Sequence, residues 1–338
     1  MATKKKKSTK QERVKPWPNP NEEVDLARKY RPQTLDEFKG NASLKKSIQS
    51  MVDKDKIPHN ILFYGDHGSG KTTLARILAK QLGCSKFDMM EIDTGDFSGV
   101  DTSRNIRRKM NTAPMSGPVK AYIFDEVHML GRGGDSSKNE AQNALLKALE
   151  EPPKHTYFFL CTTDPQNLIG TIKSRCTQFK VSALSEKQIH EHVTEVAKKE
   201  GINLPKKVSL QISRDSLGIP RDAMKILMKV LWLDNEEDML TEAKQEAERR
   251  EQAISLCRLM AKANSKTKWS EFAEILKNID EDPEQVRRVI RGYFSKVLLS
   301  GDESAAIPLD VFKTPLYSID NRNELIRMVY ECYSEITS

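Results

Sequence analysis

Ile61-Leu-Phe-Tyr-Gly-Asp-His-Gly-Ser-Gly-Lys-Thr72 decides the architecture of this chain. The apolar run Ile61–Tyr64, entered after Pro58, reads as a short buried strand, and Thr72–Leu82 reads as a helix. Between them, Gly65–Thr72 follows the spacing GxxxxGK[ST]. Glycines at these positions let consecutive backbone N–H groups curl around phosphate oxygens, at a helix N-terminus whose dipole favours anions. Lys71 can reach the β- and γ-phosphates, and the Thr72 hydroxyl can sit on Mg²⁺. Gly65, Asp66, His67, Gly68, Ser69, Gly70, Lys71, Thr72 and Thr73 are therefore the candidate nucleotide cradle.

A second strand complements it. Ala121–Phe124 is apolar and delivers Asp125 and Glu126 at its C-terminal end, where open α/β sheets bind ligands. Asp125 is the candidate to hold Mg²⁺ through water, and Glu126 to orient or deprotonate an attacking water. A dedicated base for water favours hydrolysis over transfer to a small molecule. Met89–Ile92, Tyr157–Thr162 and Thr177–Val181 are further strand candidates, and Ala141–Glu151 is a helix stopped by Pro152 and Pro153. Strands alternating with helices predict a mostly parallel sheet covered on both faces.

Beyond Ser182 the strand signals end. Residues 185–201, 205–213 and 219–233 read as helices, and the acidic, polar stretch 234–251 leads into a separate helical unit. There, Val286, Val289, Ile290, Phe294, Val297 and Leu298 recur at helical spacing and predict one buried face. The expected organisation is a flexible basic arm (1–20), an α/β nucleotide-binding domain (21–182), a small helical domain (183–239) and a C-terminal all-α domain (240–338).

Composition narrows the class. The chain has 338 residues and a formal charge of +7, but residues 1–15 hold seven Lys/Arg against one Glu, which leaves +1 for the rest. A nucleic-acid footprint must therefore come from local patches. Cys84, Cys161, Cys176, Cys257 and Cys332 are widely spaced, with no CxxC, so neither a zinc ribbon nor a disulfide framework is expected. No run approaches the ~18 apolar residues of a membrane span, and the Lys-rich start carries no apolar signal region. A cytoplasmic protein without membrane partners is expected.

Taken in order, the motifs resemble the ATPase subunits of sliding-clamp loaders. These are AAA+ proteins, and the chain is most similar to the bacterial DNA polymerase III gamma/tau type and related to replication factor C small subunits. The resemblance runs over residues 24–230. It rests on Leu26–Gly40 (LARKYRPQTLDEFKG), the phosphate loop, Asp125–Leu130 (DEVHML), Asn143–Pro153 (NALLKALEEPP), Thr162–Gln166 (TTDPQ), Ser174-Arg-Cys176 and Gly218–Ala223 (GIPRDA). It implies a AAA+ P-loop domain, a helical lid and a helical oligomerising collar. Tyr30, Arg31 and Pro32 match the adenine pocket, Thr163 the sensor 1 position, and Arg221 the sensor 2 arginine of the lid. Arg175 matches an arginine finger acting on ATP held by a neighbouring subunit. Arg104, Lys147 and Thr171 match positions that track DNA phosphates, and Arg107 lies beside Arg104 in one basic helix expected after Asp101. Implied cofactors are ATP and Mg²⁺; implied partners are other loader subunits in a pentamer-like assembly, a sliding clamp and primer–template DNA.

Several features depart from the bacterial pattern. A cysteine zinc module usually follows the phosphate-loop helix, but only Cys84 stands here, so no zinc is expected. Phe97-Ser-Gly99 replaces basic residues, Gly131–Asn139 reads as a longer Gly-rich loop, and Gln142 follows the replication factor C type, coupling DNA contact to the ATP site. Together these suggest a compact variant of the bacterial cytoplasm, or of a host cytoplasm if phage-encoded. Two other readings compete. A Holliday-junction branch-migration helicase would need a terminal winged helix, and the last hundred residues show no basic recognition helix. A non-hydrolysing scaffold would not need Lys71, Thr72, Asp125 and Glu126 all intact.

Overall fold

A computed structural model of the chain describes residues 25–94, 109–130, 135–279, 281–314, 316 and 320–337. Arg104 and Arg107, and the helix expected around them, lie outside these residues, as does the basic arm.

Two helices, α1 (Leu26–Lys29) and α2 (Ala42–Asp53), precede a sheet of five strands: β1 (Asn60–Tyr64), β2 (Met89–Asp93), β3 (Lys120–Asp125), β4 (Thr156–Thr162) and β5 (Thr177–Lys180). All pair in parallel, in the order β2-β3-β4-β1-β5. Every strand anticipated from the apolar runs is present, within one or two residues at its ends. Alternate side chains feed opposite faces, and both faces are covered. Leu62, Tyr122, Phe124, Phe158 and Leu160 pack under α4 (Asp135–Glu150) and α5 (Gly170–Arg175), through Leu145, Leu149 and Ile172. Ile61, Phe63, Ala121, Ile123, Phe159 and Cys161 pack under α3 (Lys71–Gln81), through Leu74, Ile77 and Leu78. Burial of a Phe or Leu side chain at such positions contributes roughly 1.5–3 kcal/mol.

Strand order places the chemistry. With β4 between β3 and β1, the segment leaving β4 lies between the carboxylates ending β3 and the loop leaving β1. Register agrees, since Tyr64 stands opposite Thr162 and Phe124 opposite Leu160.

One expectation is corrected. Gly131–Asn139 is not a loop throughout, because α4 is helical from Asp135. Asp135-Ser-Ser carries no apolar periodicity, yet Ser and Asp suit a helix start and an acidic first turn complements the dipole.

Asp88 fastens the entry to β3. Its buried carboxylate accepts from the Ser85 hydroxyl (2.6 Å) and from the backbone N–H groups of Met115, Ser116 and Gly117 (2.5, 3.0 and 3.0 Å). Burial alone would raise its pKa; these donors outweigh burial and hold the carboxyl well below the usual carboxylate range. A depressed folded-state pKa means stability that is complete above the unfolded value near 3.9 and is lost as pH falls through the folded value. Asp88→Ala should cost about 3 kcal/mol in urea unfolding at pH 7, since three N–H groups lose their acceptor. The difference between wild type and variant should shrink below about pH 4; a pH-independent difference would contradict the role.

Residues up to Met239 form one compact unit. After the sheet it holds α6 (Glu186–Lys199), α7 (Lys206–Asp215) and α8 (Pro220–Val230). Ser185 and Gln188 close a reciprocal capping box at the start of α6, and Ile189, Val193, Val208, Ile212, Ala223 and Leu227 are buried among the three helices. The acidic stretch expected over 234–251 belongs to one continuous helix, α9 (Glu236–Lys262).

The second unit, Leu240–Ser338, is all-helical among the described residues. It contains α10 (Trp269–Asn278), α11 (Pro283–Leu299), α12 (Ala306–Val311) and α13 (Asn321–Thr337). Of the α11 stripe, Val286, Ile290 and Phe294 are buried, and Val289 and Val297 pack at the core edge. Leu298, expected in the same face, is 38% exposed. A buried pair stiffens this unit: Arg287 donates to Glu284 and to the Phe312 carbonyl, while Glu284 also accepts from Leu316 N–H (2.8 Å). All five cysteines are buried and unpaired, three in the first unit and two in the second.

Candidate active site

β1 ends at Tyr64, and the loop that follows turns sharply into α3. Gly65 has φ +148°, and a Cβ there would lie 2.2 Å from the Val181 carbonyl oxygen, so only glycine lets β1 turn here beside the end of β5. Gly68 has φ +74°, and its Cβ would press on Ile219 and Arg221, so the loop touches the helical segment that carries Arg221.

Lys71 is buried, and its ammonium donates to the carbonyls of Gly65 (3.1 Å) and Asp66 (3.0 Å). Burial lowers its pKa, opposed by the charges of Glu126, Asp125 and Asp66. Thr72 donates its hydroxyl to Asp125 Oδ2 (3.0 Å), so the two predicted metal-side oxygens already meet. Thr94, just past β2, fixes the β3 end by donating to the carbonyls of Asp125 and Glu126 (2.8 and 2.6 Å).

Glu126 has left-handed backbone, φ +47°, which turns its carboxylate back over the strand ends. Thr163 grips one oxygen: its N–H and hydroxyl donate to Oε2 at 3.0 and 2.9 Å. His67 Nδ1 stands 3.7 Å from Oε1, and His128 Nδ1, itself 2.9 Å from the Thr162 hydroxyl, stands 3.4 Å from Oε2. Burial would raise the Glu126 pKa, but His67, the Lys71 charge and Thr163 bring it down to about 2. The carboxylate is thus ionised and firmly held.

His67, Lys71, Thr72, Asp125 and Glu126 line one cleft of about 280 Å³, and Thr163 reaches it only through its bonds to Glu126. His67 to Thr73, Asp125, Glu126 and Arg221 line the cleft together with Tyr30, Arg31 and Pro32. Gly65 and Asp66 contribute their carbonyls to Lys71 instead of lining it. Leu184, His192 and Met224 complete the wall from the helical segment. The N-terminal segment is tied to that wall by Lys29–Glu200 (2.8 Å), by Lys39–Glu195 (2.8 Å) and by Lys199 over the Tyr30 ring at 5.7 Å. The exposed Lys39–Glu195 pair contributes little, about 0–1 kcal/mol, whereas the Glu200 carboxylate is buried against Lys29.

Three predicted residues stand apart. Arg175 is exposed, paired with Glu150 (2.7 Å) and the Thr171 carbonyl (3.1 Å), and does not line the cleft. Lys147 and Thr171 are exposed on α4 and α5, two helices that pack together. Gln142 is fully buried on α4 and accepts from Ile169 N–H (3.1 Å), just before α5, so it joins the two helices. Thr94, His128, Leu184, His192 and Met224 were not anticipated. His128 stands inside the quoted DEVHML run and Thr94 two residues past the β2 apolar run, but neither spacing assigns a partner.

Fold and site together define a AAA+ P-loop module. Two family models match in succession: the P-loop domain of the Holliday junction DNA helicase RuvB over residues 30–95, and the delta subunit of DNA polymerase III over residues 86–185. Among solved structures, the RuvB branch-migration motor of Thermotoga maritima superposes with a TM-score of 0.55 at 19% identity, covering 73% of this chain and 85% of that one. At that identity it bears on fold alone.

In sequence, the chain is similar to the gamma and tau subunits of DNA polymerase III. It is 36% identical over 222 residues to the tau subunits of Salmonella typhimurium and Escherichia coli, covering 60% of this chain and 34% and 33% of theirs. To the gamma subunit of Buchnera aphidicola it is 36% identical over 229 residues, 62% of this chain and 61% of that subunit. The match spans about a third of the tau relatives' length.

Proposed function

We propose that the chain is the ATPase subunit of a DNA polymerase sliding-clamp loader. One observation carries the reading: Lys71, Thr72, Asp125, Glu126, Thr163 and Arg221 converge on one cleft or its rim, while Arg175 stands on an outer face of the same unit. Such a site is complete for binding ATP and incomplete for hydrolysing it until a neighbour supplies an arginine.

The roles follow from position. Tyr30, Arg31 and Pro32 receive the adenine end. Backbone N–H groups of the loop and Lys71 hold the phosphates, and Arg221 brings the lid onto the γ-phosphate. Thr72 and Asp125 present hard oxygen donors side by side, a set that fits Mg²⁺, which would neutralise phosphate charge there. Glu126 orients the water, with Thr163 fixing the direction of its carboxylate. Lys147 and Thr171, with Arg104 and Arg107, are assigned to DNA phosphates, and Gln142 links the two helices bearing the first pair. We read residues 21–182 as the ATPase domain, 183–239 as the lid and 240–338 as the collar, in a cytoplasmic assembly with sibling subunits and a ring clamp.

Steady-state ATP hydrolysis by the full chain, with and without primed DNA and Mg²⁺, tests this over a range of protein concentration. Specific activity should rise with concentration and with primed DNA and vanish on chelation. DNA-independent turnover at all concentrations would oppose it. The branch-migration reading, to which the match with the RuvB P-loop family model points, predicts instead stimulation by four-way junctions and movement of them.

A further inference from the structure

His67 occupies a variable position of the phosphate loop, and spacing alone gave it no task beyond lining it. In the fold it stands between the two groups on which hydrolysis depends. Its Nε2 is 3.2 Å from Arg221 Nη1, and its Nδ1 is 3.7 Å from Glu126 Oε1. Guanidinium nitrogens only donate, so Nε2 must offer its lone pair to Arg221. The imidazole proton is then on Nδ1, facing the carboxylate. At 3.7 Å this second contact is longer than a hydrogen bond, but it is a favourable charge–dipole approach that a small turn of either side chain would close.

We propose that His67 is a positioning residue that joins the lid to the hydrolytic carboxylate, in the order Arg221–His67–Glu126–Thr163. Arg221 fixes the tautomer of the ring, and the ring directs its N–H at Glu126. Movement of Arg221 with the lid thereby changes what Glu126 feels, although the two do not touch. Three observations converge on it. The loop and lid are in contact at Gly68, which brings the His67 and Arg221 side chains within reach of each other. Thr163 holds the opposite oxygen of Glu126, which leaves Oε1 directed at His67. Arg221, His67 and Glu126 line the same cleft. The role rests on the ATPase reading; the bridge itself does not.

Long-range ¹H–¹⁵N spectra of the full chain labelled with ¹⁵N-histidine test the bridge without any turnover. His67, one of six histidines, is assigned by its absence from His67→Gln. It should show the Nδ1–H tautomer, which free histidine disfavours, and Arg221→Ala should move it to Nε2–H. An Nε2–H ring in the wild type, or a ring indifferent to Arg221→Ala, would overturn the bridge.

Kinetics test the role. His67→Ala should lower kcat about tenfold, the rate equivalent of one modest hydrogen bond, with KM for ATP little changed. His67→Ala in an Arg221→Ala background should cost nothing more, and Gln, which keeps an acceptor for Arg221, should restore part of the loss. Parallel loss of kcat and affinity would mark a damaged loop instead, and additive losses would separate His67 from Arg221. If wild type hydrolyses no faster than Lys71→Ala, it is the ATPase reading that fails, and the spectra still decide the bridge.

Discussion

Lys71→Ala should lower ATP turnover by roughly 10²–10³-fold, the loss that follows removal of one well-placed charge donor from a phosphoryl-transfer site. The expectation comes from what Lys71 does before any nucleotide arrives. Its ammonium is buried and satisfies two loop carbonyls, and it is the positive charge set against Asp125 and Glu126 at the head of the cleft. Without it a triphosphate meets two carboxylates with the buried cation that offsets them gone, and the Gly65 and Asp66 carbonyls lose their donor. Affinity for a fluorescent ATP analogue should fall along with turnover, because the lysine acts on the ground state as well as the transition state. Unchanged turnover and affinity would remove the nucleotide site from this cleft.

Arg175→Ala should have a comparably large effect by a different route. Turnover should drop by about 10³-fold, the lower end of what arginine fingers contribute, while ATP affinity stays within about twofold. Arg175 makes only an exposed pair with Glu150 and one bond to its own helix, worth about 1 kcal/mol at most, so unfolding would not account for such a loss. Where copies of this chain are neighbours, mixing Arg175→Ala with Lys71→Ala protein should recover turnover, because one contributes an intact pocket and the other an intact finger. Equal loss of ATP binding in Arg175→Ala alone would contradict action across an interface.

The phosphate loop and the acidic strand end could be read from sequence because their chemistry is local: Gly65 to Thr72 and Ala121 to Glu126 each hold their own context within a dozen residues. Strand order could not, since nothing in an apolar run says that β4 lies between β3 and β1. That order decides that Thr163, read only by resemblance, grips Glu126. Thr94 and His128 went unanticipated for the same reason, as each acts through a partner some thirty residues away in sequence. The start of α4 was missed because Asp135-Ser-Ser-Lys-Asn139 has no apolar period from which a helix could be read. Leu298 shows the opposite error. It keeps the period of the α11 stripe but falls near the helix end, where it is partly exposed.

The buried cysteines give the molecule a built-in clock. Burial pushes the Cys84 thiol up to about 11 and those of Cys176, Cys257 and Cys332 up to about 12, and it raises Cys161 well above the ordinary thiol range. Only thiolate alkylates readily, so at neutral pH the native chain is nearly inert to maleimides until a segment opens. Cys161 and Cys176 then report on the sheet that carries the nucleotide cradle, and Cys257 and Cys332 on the C-terminal helices. Peptide-resolved alkylation would time the breathing of each unit separately, with no residue changed.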